Sequence, residues 1–147
     1  MPGIEDAVFG FGGSYMPDTF ESAHAAITRY IGAGNLGKNG GPEAAQSLRE
    51  FKREELEEPV LEKTEDAKKL KIAEKMYKRR LDAYVEAKIV WEDNSKKIYN
   101  LLLSHCTKSM HVKLQSMSNW KDISKKQDGL KLIVLICNVR HHKDETE

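Results

Sequence analysis

The sequence predicts an all-α fold, a helical bundle around one long central helix with a flexible Gly-rich N-terminal arm. Three observations lead there. Apolar residues recur every seven positions at Leu70, Tyr77, Tyr84, Trp91 and Ile98, a period that keeps one face of a helix apolar. Residues that break helices crowd one end: nine of the ten glycines lie at or before Gly41, and neither Gly nor Pro occurs from Val60 to Gln127. The one continuous apolar run, LKLIVLICNV from Leu130, has no candidate partner strand in the chain, so it reads as a buried helix.

Residues 1–17 read as the flexible arm, with Phe9, Phe11 and Tyr15 as isolated aromatics. A first helix is expected from Asp18. Its carboxylate can cap free N–H groups while Glu21, three residues on, completes a capping box. Phe20, Ala23, His24, Ile27 and Ile31 follow at helical spacing, and the glycines from Gly32 close the element. After the loop GNLGKNGG, a second short helix is expected to start at Pro42, a favoured first position, with Leu48 and Phe51 on one face and Pro59 as its end. These two helices form the expected segment 18–59.

The segment 60–140 is the expected core. Its long helix has the seven-residue stripe, filled in by Ala73, Leu81, Ala87 and Leu102, and runs for about 40 residues, or roughly 60 Å at 1.5 Å per residue. Lys88 and Ser95 interrupt the intermediate positions. The coiled-coil-like pattern therefore suits packing against dissimilar helices better than a clean zipper. Thr107 is placed to cap a helix carrying Met110, Leu114 and Met117, Trp120 and Ile123 fall in a connector, and Asp128-Gly129 is a turn or the start of the last helix. Residues 141–147 read as a solvated, frayed tail.

Composition excludes several classes of function. Basic residues number 24 and acidic ones 23, for a net charge of +1, so no bulk field draws the chain to nucleic acid or anionic lipid. The longest uninterrupted apolar stretch, Leu132 to Cys137, is far short of a membrane span. Two cysteines make no disulfide scaffold. The N-terminus lacks the pattern of a secretory signal and no Asn-x-Ser/Thr acceptor occurs, so the expected location is cytoplasmic.

Charge is nevertheless patterned. From Glu50 to Asp66 eight acidic residues face three basic ones, and from Lys68 to Lys88 the ratio reverses to eight basic and three acidic. The pattern reads either as a solvated helix face with ordinary pairing or as a dipolar surface that docks on a neighbouring copy, and Lys75, Lys78, Arg79 and Arg80 are the candidate contacts for a partner or, more weakly, for RNA phosphate.

Catalytic and cofactor motifs do not assemble. Cys106 precedes His111 by five residues and Cys137 precedes His141 by four, the spacing that places a zinc-ligand pair on one helical face, but no CxxC anchors them and Cys137 sits in an apolar run, so no metal is expected. His105 and Cys106 are adjacent and cannot share a helical face as base and nucleophile. FGFGG lacks the strand and the GK[ST] ending of a phosphate loop. The expectation is a protein that is not an enzyme, with no cofactor and no small-molecule substrate.

From Tyr84 to Ile136 the chain resembles the Gag-like capsid region of copia-type long terminal repeat retrotransposons, of the diatom and algal type. The resemblance rests on Asn94, Tyr99, Leu101 to Leu103, Cys106-Thr107, Leu114, Trp120, Ile123, Asp128 and Leu132 to Ile136. A looser likeness upstream takes in Tyr30, the glycine loop, Leu48 and Pro59. The family implies an all-helical capsid domain that self-associates around RNA. It also suggests that Trp91, Tyr99, Trp120 and Ile123 organise the core, and Leu102, Cys106, Leu132 and Ile136 are expected in that core with them. Ser104-His105 stands where the family commonly has Gly-Gln, and no Cys/His zinc knuckle is present. The expected role is thus a capsid-like structural protein acting on copies of itself. The competing expectation is a helical adaptor that binds another protein through the Leu70 to Ile98 stripe.

Overall fold

A computed structural model of the chain describes residues 4–11, 17–37, 39–53 and 55–140, without the side chains of Pro17, Asp18 and Arg140. These residues form six helices: α1 Pro17–Gly32, α2 Gly41–Glu50, α3 Ala67–Ser104, α4 Lys108–Gln115, α5 Trp120–Lys126 and α6 Gly129–Arg140. The class is all-α, and the long central helix is α3, 38 residues or about 57 Å.

The bundle gathers on α6, whose Leu132, Ile133, Leu135, Ile136 and Val139 are all buried. A helix apolar nearly all round is one enclosed on most sides, and α6 packs against α3, α4 and α2. From α3 only the last third is buried: Asn94, Ser95, Ile98, Tyr99 and Leu102. The close approach of α6 to α3 depends on Gly129, where a Cβ would stand 2.6 Å from Ile98 Cγ2 and 2.7 Å from the Ser95 carbonyl oxygen. The Gly129 amide donates to Ser95 Oγ at 3.0 Å, which partners a buried backbone donor at the helix start. On the other side, α1 and α2 pair as a hairpin. Between them His24 lies stacked on Phe20 and Phe51, at centroid distances of 5.5 and 4.8 Å, with Nε2 2.8 Å from the Leu48 carbonyl.

Several expectations need correction. Residues 4–11 of the expected flexible arm are docked, not free. Phe9 is 1% exposed and its backbone bridges Cys106: the Phe9 amide donates to the His105 carbonyl and the Thr107 amide to the Phe9 carbonyl, both at 2.9 Å. The α3–α4 junction has backbone groups with no helical partner, and this short extended segment satisfies them while Phe9 fills the apolar gap beneath. The rest of the expected arm and the tail 141–147 lie outside the described residues. The first helix starts at Pro17, so Asp18 falls inside its first turn. The second ends at Glu50 and not at Pro59: Phe51 takes a left-handed conformation, φ 58°, which its ring contact with His24 holds in place. The Trp120–Ile123 connector is the helix α5.

The expected core residues are unevenly placed. Tyr99, Leu102, Ile123, Leu132 and Ile136 are buried, whereas Trp91, Cys106 and Trp120 are half-buried. The Trp120 ring leans on Tyr99 at 6.4 Å.

Candidate interaction surface

The first 27 residues of α3, 67–93, contain no buried residue, and up to the cleft with α2 that begins at Glu86 the helix stands clear of the bundle for about 30 Å. Its start is fixed by Asp66, whose carboxylate accepts from the amides of Lys68 at 2.9 Å and Lys69 at 3.4 Å. Running back along it is a strap, residues 52–66, with neither helix nor strand among its described residues. The strap is antiparallel to α3. Arg53 lies 4.5 Å above the Trp91 ring, while Val60 and Glu62 line a small cavity with Ala73, Met76, Tyr77 and Arg80. Strap and helix together make a rod.

The heptad stripe takes a different role from the expected one. Leu70, Tyr77, Tyr84 and Trp91 are half-buried, and only Ile98, where α3 enters the bundle, is fully so. Among the described residues no helix covers the upper stripe; the strap reaches it at Tyr77 and Trp91. The rod also exposes apolar side chains outside the stripe. Ile72 is 60% exposed, Ile89 50%, and Met76 and Val85 45% each. At 100° per residue Ile72 and Met76 fall on one flank of the stripe and Val85 and Ile89 on the other.

Where the rod meets the bundle there is an open cleft of about 800 Å³ between α2, the strap and α3. Pro42, Leu56, Val90 and Trp91 supply its apolar wall, and Glu43, Glu50 and Glu86 are the acids along it. Lys52 and Arg53 are its cations. Burial lowers the Arg53 pKa, against the opposing fields of Glu92, Asp128 and Tyr84. The floor is tied down by Asn94, which donates to the Asn39 carbonyl at 2.9 Å. Gly40 permits that approach with a left-handed φ of 76°, since a Cβ there would come within 2.7 Å of both Asn94 Nδ2 and Val90 Cγ1.

The four expected contact cations are not one patch. Lys75, Lys78, Arg79 and Arg80 are all exposed, but Arg80 turns to the strap-side cavity while the helical period sends the other three to the far side. Among the described residues no ion pair joins the acidic strap to the basic helix; the pair present is Lys126–Asp122 at 3.5 Å, on α5. The segregated charges thus face solvent.

Of the cysteine–histidine candidates, His105 and His111 are engaged in the fold, and His141 lies outside the described residues. His105 Nδ1 is 2.8 Å from the Ala7 carbonyl and His111 Nε2 3.0 Å from the Leu103 carbonyl. Burial pushes the Cys106 thiol up to about 12, so it stays protonated near neutrality. Among the described residues no three His, Cys, Asp or Glu side chains come together as a metal site, and no helix is long and apolar enough to cross a membrane. The cleft is assembled from two separated stretches of chain, 39–56 and 86–94, which local periodicity does not bring together. The sequence signal that pointed nearest to them was the change of charge sign at Asp66.

No protein-family model matches the chain, and no curated protein or solved structure shows significant similarity to it.

Proposed function

We propose that the protein is a structural, non-catalytic helical protein that associates with copies of itself through the rod. The observation that carries this reading is the location of its exposed large apolar side chains. Leu56, Val60, Leu61, Ile72, Met76, Val85 and Ile89 all lie on the rod, and Val112 on α4 is the one elsewhere among the described residues. Single exposed apolar residues are ordinary, but their concentration on one projecting element marks a contact surface. Each is already partly covered, so burying the remainder is worth about 0.5–2 kcal/mol apiece before the costs of association.

The resemblance to Gag-like capsid regions gives this reading its specific form, a capsid-like subunit with the bundle as base and the rod as contact element. Cytoplasmic residence belongs to the same reading, and the free Cys106 and Cys137 suit a reducing compartment. RNA is the lesser partner, because Lys75, Lys78 and Arg79 share their side of the helix with Asp82, Glu86 and Asp93.

The test is light scattering coupled to size exclusion across protein concentration at two salt levels. Concentration-dependent growth that weakens at high salt is expected. A strict monomer under every condition refutes the reading. One observation favours an adaptor as second reading: among the described residues the upper stripe is met by the strap and by no helix, so a foreign helix could take the strap's place. A monomer whose strap is cut faster, and whose upper stripe is protected, only in the presence of another protein would select it.

A further inference from the structure

We infer that the rod pairs with the rod of a second copy, antiparallel and two-fold symmetric, so that Ile72 of each copy seats in the cleft of the other beside Val90. This rests on the self-association reading and names its interface.

Residues 72, 76, 79, 83, 86 and 90 succeed one another at spacings of four and three, the seam geometry of two paired helices. In this chain they are Ile72, Met76, Arg79, Ala83, Glu86 and Val90. All but Val90 are exposed, and Val90 is half-buried at the cleft wall. Apolar residues stand at both ends of the seam, a small one lies between, and one cation and one anion flank that small residue. Laid parallel, two such seams set Arg79 against Arg79 and Glu86 against Glu86. Laid antiparallel with Ile72 opposite Val90, they bring each Arg79 within reach of the other copy's Glu86, twice, by symmetry.

Charge beyond the seam agrees. Lys68, Lys69, Lys71 and Lys75 surround Ile72 on the exposed start of α3. The cleft that receives Ile72 carries Glu43, Glu50 and Glu86. Of its two cations, Arg53 is held over Trp91 and Lys52 lies at the strap. Glu50 accepts from Gln46 at 2.7 Å, which leaves its charge in place on the rim. Basic tip and acidic cleft are thus complementary between copies and too far apart to meet within one.

The test is a charge swap read by sedimentation equilibrium on the full chain. Arg79→Glu and Glu86→Arg, made singly, are each expected to weaken dimerisation about tenfold, because each sets like charges face to face twice. The two together are expected to restore it to within about twofold. Arg79 and Glu86 are two turns apart in one helix, so recovery requires the second chain. Helical circular dichroism should be the same for all four proteins, since both sites are exposed on the rod. Association of the parent with no rescue by the double variant, or single variants that associate as the parent does, overturns this pairing and leaves self-association standing. A parent that never associates overturns both.

Discussion

Replacing Gly129 by alanine tests the packing on which the bundle depends. The residue opens α6 where it crosses α3, and an added Cβ meets Ile98 Cγ2 at 2.6 Å, Ile98 Cβ at 2.8 Å and the Ser95 carbonyl oxygen at 2.7 Å. Two of these are not the far ends of flexible side chains, so α6 itself must shift. Overpacking of this kind costs about 1–3 kcal/mol. The shift also stretches the bond from the Gly129 amide to Ser95 Oγ, for a further loss of about 0.5–1.5 kcal/mol. Against this, alanine restricts the unfolded chain and returns about 0.4–1 kcal/mol. The balance is a destabilisation of about 2 kcal/mol, or about 4–8 °C in Tm for a chain of this size. Thermal and urea melts followed by circular dichroism at 222 nm measure it. Ser95→Ala is the companion variant, expected to cost about 1–2 kcal/mol by orphaning the same amide and to be non-additive with Gly129→Ala. A Gly129→Ala melt that coincides with the parent's, or lies above it, would refute the close α3–α6 crossing.

Three further outcomes are expected. Trp120→Ala should cost about 1–3 kcal/mol, below the range for a fully buried tryptophan, because the ring is half-buried against Tyr99; a melt identical to the parent's would count against that contact. Cys106 should make stability pH-dependent in the alkaline range. Its folded pKa, about 12, lies above its ordinary value of 9.0, so the stabilisation is full below pH 9.0 and declines from there toward about pH 12 as the unfolded thiol ionises. Cys106→Ala should lose that part of the decline, and a slope equal to the parent's would contradict the burial. In limited trypsinolysis the strap sites Lys52, Arg53 and Lys63 should be cut before Lys131 on α6, since backbone without helix or strand reaches a protease more readily; early cleavage at Lys131 with an intact strap would reverse the assignment of rod and bundle.

The helices that bury a periodic face were legible from the residues alone. The seven-residue recurrence from Leu70 to Ile98 located α3, and the absence of a partner strand decided α6. Thr107 was recognisable as a cap, and its hydroxyl does accept from the Met110 amide at 3.2 Å. Features set by contacts distant in sequence were not legible. Phe51 stops α2 by adopting a left-handed backbone that no Gly or Pro announces, and the ring that holds it there is His24, in another helix. Phe9 lacks a periodic context because its segment is a single extended stretch answering the free backbone of the α3–α4 junction. The seven residues of α5 bury Ile123 alone, too little to make a period. At the candidate surface, the sequence exposed the change in charge sign but not the chain reversal at Asp66 that lays the acidic strap beside the basic helix. The cleft needs α2, strap and α3 at once, which only the folded chain supplies.

One uninterrupted helix serves both the bundle and the rod, and between Ala67 and Ser104 it contains no Gly or Pro at which to bend. It therefore behaves as a lever with its fulcrum at the crossing with α6. With an arm of about 40 Å, a tilt of about 5° at Gly129 carries the far tip through about 3.5 Å. Small differences in core packing are thereby magnified into the spacing between whatever the tips touch, and a load on a tip returns to Ile98 and Leu102 as torque. The angular tolerance of any assembly built on this rod is set in the interior of the subunit, far from the surfaces that meet.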